Sequence, residues 1–227
     1  MKYLLLFFAT LFMSGAGYAA TTQSGIDLSK PWQQRVYRFA VDKLQHSAWG
    51  LAHSERDYLL AKRIAAAERL DIDYDVLFAA AFLHDIGVFK PYETAGADHA
   101  AVAAQHVEQI LDQSGFPMEK IREVKRCILS HMFYSTPNDS ETARVLHDAD
   151  TLDFLGNIGI ARIISVTSRH RWAKDLPDAL ESISKFNREL PAKLLYPSSR
   201  ELAKQRVAEA REFTEALASE SIGGLAL

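Results

Sequence analysis

Several ionisable residues of this chain fall on otherwise apolar helical stripes. Leu77, Ala80 and His84 share one face of a segment and Phe78, Phe82 and Asp85 share the adjoining one, after eight consecutive apolar residues from Val76 to Leu83. His53 lies in line with Leu60 and Ile64, Asp150 lies between Leu146 and Phe154, and His131 continues the stripe of Ile121, Val124 and Ile128. Each of these points inward, where an uncompensated carboxylate is costly and is normally neutralised, paired or bound to a metal. Any one of them alone is as well explained as a hydrogen-bonded core residue or a helix cap. Together they bring imidazoles and carboxylates from four segments, a donor set that suits Mn, Fe, Co, Ni or Zn.

Composition narrows the alternatives. The single cysteine, Cys127, excludes an intrachain disulfide framework and a thiolate metal cluster, so a metal site must use His and carboxylates. A net charge of −3 over 26 basic and 29 acidic residues, with no basic run longer than two, speaks against a nucleic-acid duplex as partner. With 48% hydrophobic residues, 11 Gly and 7 Pro among 227, the chain is composed like an ordinary globular protein.

The elements that must position these residues read as helices. Lys2, the apolar run Tyr3 to Met13 and Gly17-Tyr18-Ala19 have the form of a signal peptide over 1–19, with export to a periplasm and a mature chain from near Ala20. That apolar run is far short of the ~20 residues a stable membrane anchor needs. Helices are predicted at Trp32 to Ser47, His53 to Leu70, Tyr74 to Ile86, His99 to Gln113 capped by Asp98, Pro117 to His131, and Glu141 to Leu155 capped by Ser140. Shorter patterns follow at Ile158 to Arg169 and Pro177 to Leu190, then a last one at Ser199 to Ala218, where Ser198 and Glu201 have capping-box spacing. Neither hairpin signals nor sustained alternation occur, so the fold class is all-α, one domain over 20–227.

His53-Ser54-Glu55-Arg56, Phe82-Leu83-His84-Asp85-Ile86-Gly87 and Asp148-Ala149-Asp150-Thr151-Leu152-Asp153 resemble, in this order, the H…HD…D signature of the HD-domain metal-dependent phosphohydrolases. Asp148 to Arg162, with Gly156, Gly159 and Ile160-Ala161-Arg162, is similar to the stretch after the last ligand in a bacterial subgroup. The resemblance covers about 52–162 and implies a helical core with added N- and C-terminal helices. It implies His53, His84, Asp85 and Asp150 as ligands of one divalent ion, with Asp148 the nearest rival of Asp150 and His99 and His131 the candidates for a second ion.

The activity implied is hydrolysis of a small phosphate ester, such as a nucleotide, by water activated at the ion, with Asp85 central to catalysis. Arg56 and Lys90 are the nearest candidate phosphate clamps and Arg162 a more distant one, while His131 or His99 is the candidate proton donor. A non-catalytic metal-binding domain keeps the same ligands, and a two-iron oxygenase requires His99 and His131 as well. The loops Phe89 to Gly96 and Met132 to Asp139 are expected to select the substrate. His106 reads as a partly buried flank and His46, His147 and His170 show no converging pattern. Phe133 and Tyr134 either line a pocket or pack on the core, and Cys127 reads as a small core residue.

Overall fold

The computed structural model describes residues 21–137, 140–168 and 173–224. The expected signal peptide, His170, Arg169 and the end of the loop at Asp139 lie outside the described residues. Helices run at α1 Pro31–Lys43, α2 Leu51–Glu68, α3 Tyr74–Leu83, α4 His99–Ser114, α5 Ile121–Leu129, α6 Glu141–Asp153, α7 Gly156–Ser165, α8 Leu176–Glu189 and α9 Pro197–Glu220, with 3-10 turns at Ile86–Val88, Met118–Lys120 and Leu190–Lys193. No strand occurs among the described residues, where Thr21 and Asp27 form one isolated bridge.

The apolar run makes α3 the central helix, buried from Val76 to Leu83 and in contact with α1, α2, α4, α5 and α6. Trp32 and Tyr58 meet Phe78 edge to face, each at 5.4 Å between ring centroids. Caps set where the helices start. Asp73 accepts from the N–H groups of Asp75 and Val76, Asp98 from Ala101, and Ser140 from Ala143.

Other ends differ from the sequence reading, each for a local reason. The first helix stops at Lys43, before Ser47, because Nδ1 of His46 accepts the N–H groups of Ala48 and Trp49 and folds the chain into a turn. The fifth stops at Leu129, before His131, whose imidazole bonds a carbonyl left unpaired at the helix end. The capping box at Ser198 and Glu201 does not form. Pro197 opens α9 instead, and Glu68 of α2 accepts the Ser198 N–H at 2.7 Å.

Helix α6 is enclosed on nearly every side, with eleven of its thirteen residues buried. It packs on α2 and α3 across one flank and on α9 across another. The carboxylate of Asp148 accepts the main-chain N–H groups of Leu195 and Tyr196 at 2.9 and 3.0 Å, fastening the start of α9 to it. A smaller apolar cluster of Ile160, Ile163, Ala179, Ile183 and Ala210 joins α7, α8 and α9. Among the described residues no helix is long and apolar enough to cross a membrane.

Candidate metal centre

The first turn of α2, the end of α3 and the last turn of α6 converge on one buried point. Nε2 of His53 lies 3.2 Å from Nε2 of His84, 3.3 Å from Asp150 Oδ1 and 3.5 Å from Asp85 Oδ2. Nε2 of His84 lies 3.4 Å from the same Asp85 oxygen. The far nitrogens settle the tautomers. His53 Nδ1–H donates to Asp153 Oδ2 at 2.8 Å and His84 Nδ1–H donates to the Ala81 carbonyl at 2.9 Å, so both Nε2 atoms present lone pairs to each other. Two facing lone pairs at this distance repel unless a cation or a proton stands between them.

One residue that periodicity did not single out completes the group. Asp57, one helical turn after His53, is fully buried, places Oδ2 3.2 Å from His53 Nε2, and neither of its oxygens accepts a hydrogen bond. Asp150 Oδ2 is likewise buried without a hydrogen-bond donor. Ligand atoms of His53, Asp57, His84 and Asp150 all lie within 4.8 Å of one another. Orphaned carboxylate oxygens facing imidazole lone pairs fit a bound divalent cation, which satisfies both. Without a cation, protons take its place: burial raises the pKa of Asp57 to about 7. At His53 burial and Arg162 oppose the charge, yet Asp57, Asp150 and Asp153 hold its pKa well above the ordinary value.

A second group adjoins the first through Asp85. Its Oδ1 faces away from His53, 3.4 Å from His99 Nε2 and 3.7 Å from His131 Nε2. His131 repeats the arrangement of His84, since its Nδ1–H donates to the carbonyl three residues back, Ile128, and turns the Nε2 lone pair inward. Burial, then His84, lowers its pKa to about 4, so it is neutral at pH 7. Gly87 makes this approach possible, because a Cβ there would come within 2.2 Å of the His99 carbonyl oxygen. On this side His84, Asp85 and His131 form a second group of ligand atoms that could hold a cation, with His99 beside Asp85.

The cations around the site are distributed differently from the sequence expectation. Arg56 forks onto Asp153, donating from Nε to Oδ1 and from Nη2 to Oδ2, both at 2.8 Å, so it is committed to a carboxylate. Lys90 is exposed and lines neither opening to the site. Arg162 is the cation that does. Only 4% exposed, it donates from Nε to the Ala48 carbonyl, lies 4.4 Å from the centroid of the Phe154 ring and has Nη1 3.0 Å from Asp153. With Asp85, His99, Asp150 and Trp49 it lines a pocket of about 140 Å³ over the cluster.

Asp148, the rival of Asp150, is engaged by α9 and takes no part in the cluster. The carboxylate that orients a ligand histidine is Asp153. Burial opposes its ionisation, but Arg56 and His53 keep its pKa below the ordinary range. Asp153→Asn is expected to weaken metal affinity roughly 10- to 100-fold while leaving the ligands in place, measured by competition with a chelator.

The remaining residues behave as packing groups. The His106 ring lies 5.0 Å from that of Tyr92, His147 is buried beside Asp148, and Cys127 is buried. Phe133 packs against Phe154 and Phe186, whereas Tyr134 is 57% exposed and donates its hydroxyl to Asp98.

Comparison with known proteins agrees with this geometry. The family model for the HD domain matches residues 50–155. A predicted HD superfamily hydrolase from an uncultured Thermotogales bacterium is 27% identical, with a TM-score of 0.57 over 83% of this chain and 90% of that one. Bacillus subtilis YpgQ in complex with ADP is 23% identical, with a TM-score of 0.62 over 83% and 97%. An HD-superfamily hydrolase from Bacillus thuringiensis is 21% identical, with a TM-score of 0.59 over 83% and 95%. No curated protein matches. With ligand order, helical architecture and family match in agreement, this chain carries an HD domain at residues 50–155, on the fold of the HD superfamily hydrolases.

Proposed function

We propose that the protein is a metal-dependent phosphohydrolase of a small phosphate ester, such as a nucleotide, and that it is exported to a periplasm. The observation that carries this reading is the buried Asp57, whose oxygens accept no hydrogen bond among inward-facing imidazoles, in a cluster whose Asp85 and Asp150 line a small pocket together with Arg162. A divalent ion bound there supplies Lewis-acid polarisation of a phosphoryl oxygen and a lowered pKa for water. His53, His84, Asp57, Asp85 and Asp150 would hold it. Arg162, fixed by Phe154, Asp153 and Ala48, brings a buried permanent cation to the pocket and orients the phosphate oxygens. At about 140 Å³, set against roughly 30 Å³ per water, the pocket admits a phosphoryl group and little else.

Proton transfer to the leaving oxygen does not fall to His131, whose Nδ1–H is held by Ile128 and whose Nε2 is an acceptor. His99, at the pocket mouth, is the imidazole able to supply that proton when it is not itself a ligand. The partner is therefore a small phosphorylated molecule rather than a nucleic-acid duplex. Protein loaded in turn with Mn, Fe, Co, Ni and Zn is expected to hydrolyse at least one member of a phosphomonoester, phosphodiester and nucleotide panel. Inertness with every ion, with metal retained, would establish a metal-binding domain without catalysis.

The two-faced placement of Asp85, with His99 and His131 on its outer side, favours a second reading as a two-iron oxygenase. A content of one ion per chain after reconstitution with excess iron would exclude it.

A further inference from the structure

The pocket over the cluster adjoins a larger cleft of about 650 Å³, and Trp49, Val88 and His99 belong to the walls of both. That volume is in the range of small-molecule sites. One wall is the turn carrying Gln45, His46 and Trp49, and the other is the loop carrying Glu93 and Asp98. The His46 and Trp49 rings lie nearly parallel, 3.8 Å apart and 16° from coplanar, and the N–H groups of Ala48 and Trp49 hold the imidazole in place. The same turn reaches the inner pocket through the Ala48 carbonyl, which accepts from Arg162 Nε. Residues 48 and 49 therefore connect the cation placed for the phosphate to an aromatic wall outside it.

Charge separates the two compartments. Arg162 lines the inner pocket, whereas the outer cleft has no lysine or arginine among its described lining residues and is lined by Glu93 and by Asp98, whose carboxylate accepts from the Ala101 N–H and the Tyr134 hydroxyl. A phosphate leaving the inner pocket would meet the charge of Glu93, with that of Asp98 behind it, and no lysine or arginine. An uncharged ring would meet an aromatic wall and the polar edges of Gln45 and His46.

Resting on the phosphohydrolase reading, we infer that the substrate is a phosphomonoester whose uncharged leaving group carries a planar ring packed along Trp49, and that the acidic cleft selects against di- and triphosphates.

The test compares adenosine mono-, di- and triphosphate and glycerol phosphate on the metal-loaded protein, with calorimetric binding of adenosine to the metal-free protein alongside. The expected kcat/KM for the monophosphate exceeds that for the di- and triphosphate at least tenfold. Trp49→Leu should lower the ratio of adenosine monophosphate to glycerol phosphate kcat/KM tenfold and abolish adenosine binding, and Trp49→Phe should restore both. Glu93→Lys should raise the diphosphate-to-monophosphate ratio tenfold. Hydrolysis of all four with similar kcat/KM, unmoved by Trp49→Leu, would overturn the inference and leave the phosphohydrolase standing. Adenosine binding that depends on Trp49, without hydrolysis of any ester, would support the cleft and overturn the phosphohydrolase. Absence of both would overturn both.

Discussion

Asp85→Ala is expected to reduce hydrolysis by well over 100-fold and to lower metal content by at least one ion per chain. Its two oxygens face different donor groups, Oδ2 toward His53 and His84 and Oδ1 toward His99 and His131. Alanine therefore removes a donor from both at once. Burial opposes ionisation of this carboxyl, yet His84 and His53 hold its pKa well below the ordinary range, so it is a carboxylate at neutral pH. Loss of an outer-sphere partner of a metal site costs about 10- to 100-fold, and loss of a carboxylate that would itself hold a cation should exceed that. Metal analysis and hydrolysis rates on the same preparation give the answer. Unchanged metal content with a rate within tenfold of wild type would remove Asp85 from the centre.

Asp57→Asn is expected to act in opposite directions on the metal-free and the metal-loaded protein. In the metal-free protein Asp57 has a pKa of about 7, raised by burial from an ordinary value near 3.8. The folded state thus binds the proton more tightly than the unfolded chain does, and stability falls as pH rises between about 4 and 7. Above that window the cost is of the order of 4 kcal/mol. Asparagine carries no charge to desolvate, so at pH 8 the metal-free variant should melt higher than metal-free wild type by several degrees, with the difference vanishing near pH 4. On addition of metal the order should reverse, because wild type gains a carboxylate ligand and the variant only an amide. Thermal melts with and without ion at pH 4 and pH 8 measure both arms. A variant with the wild-type rise in melting temperature on metal addition would show that Asp57 is not a ligand.

The ligand helices were legible in the sequence because apolar periodicity fixes which way His53, His84, Asp150 and His131 point. Asp98 and Ser140 were legible as caps, since a cap acts within three residues. Asp57 carried a usable signal that the stripe of Leu60 and Ile64 obscured: it stands four residues after His53 and shares a face with Ala61 and Ile64, all buried.

Asp153 and Arg56 carried none. Their pairing joins residues 97 positions apart, and a charge in a sequence does not name its partner. Lys90 illustrates the converse, a cation near the ligands in sequence that the turn after Gly87 leaves in solvent. The start of α9 was misjudged for a similar reason, since its acceptor, Glu68, lies 130 residues earlier.

The bond from Asp148 to α9 bears on how such a protein is recognised. The HD match ends at residue 155, yet the helix supplying Asp150 and Asp153 is enclosed by a segment some forty residues further on. That segment answers Asp148 with main-chain N–H groups, and every residue type except proline carries one. The contact therefore demands a backbone path and hardly any side-chain identity. Tyr196 and Arg206 add side-chain bonds to Glu141 and to the Leu152 carbonyl of the same helix, so the folded unit extends past residue 155 through contacts of which the main-chain ones leave no residue-type signature in the sequence.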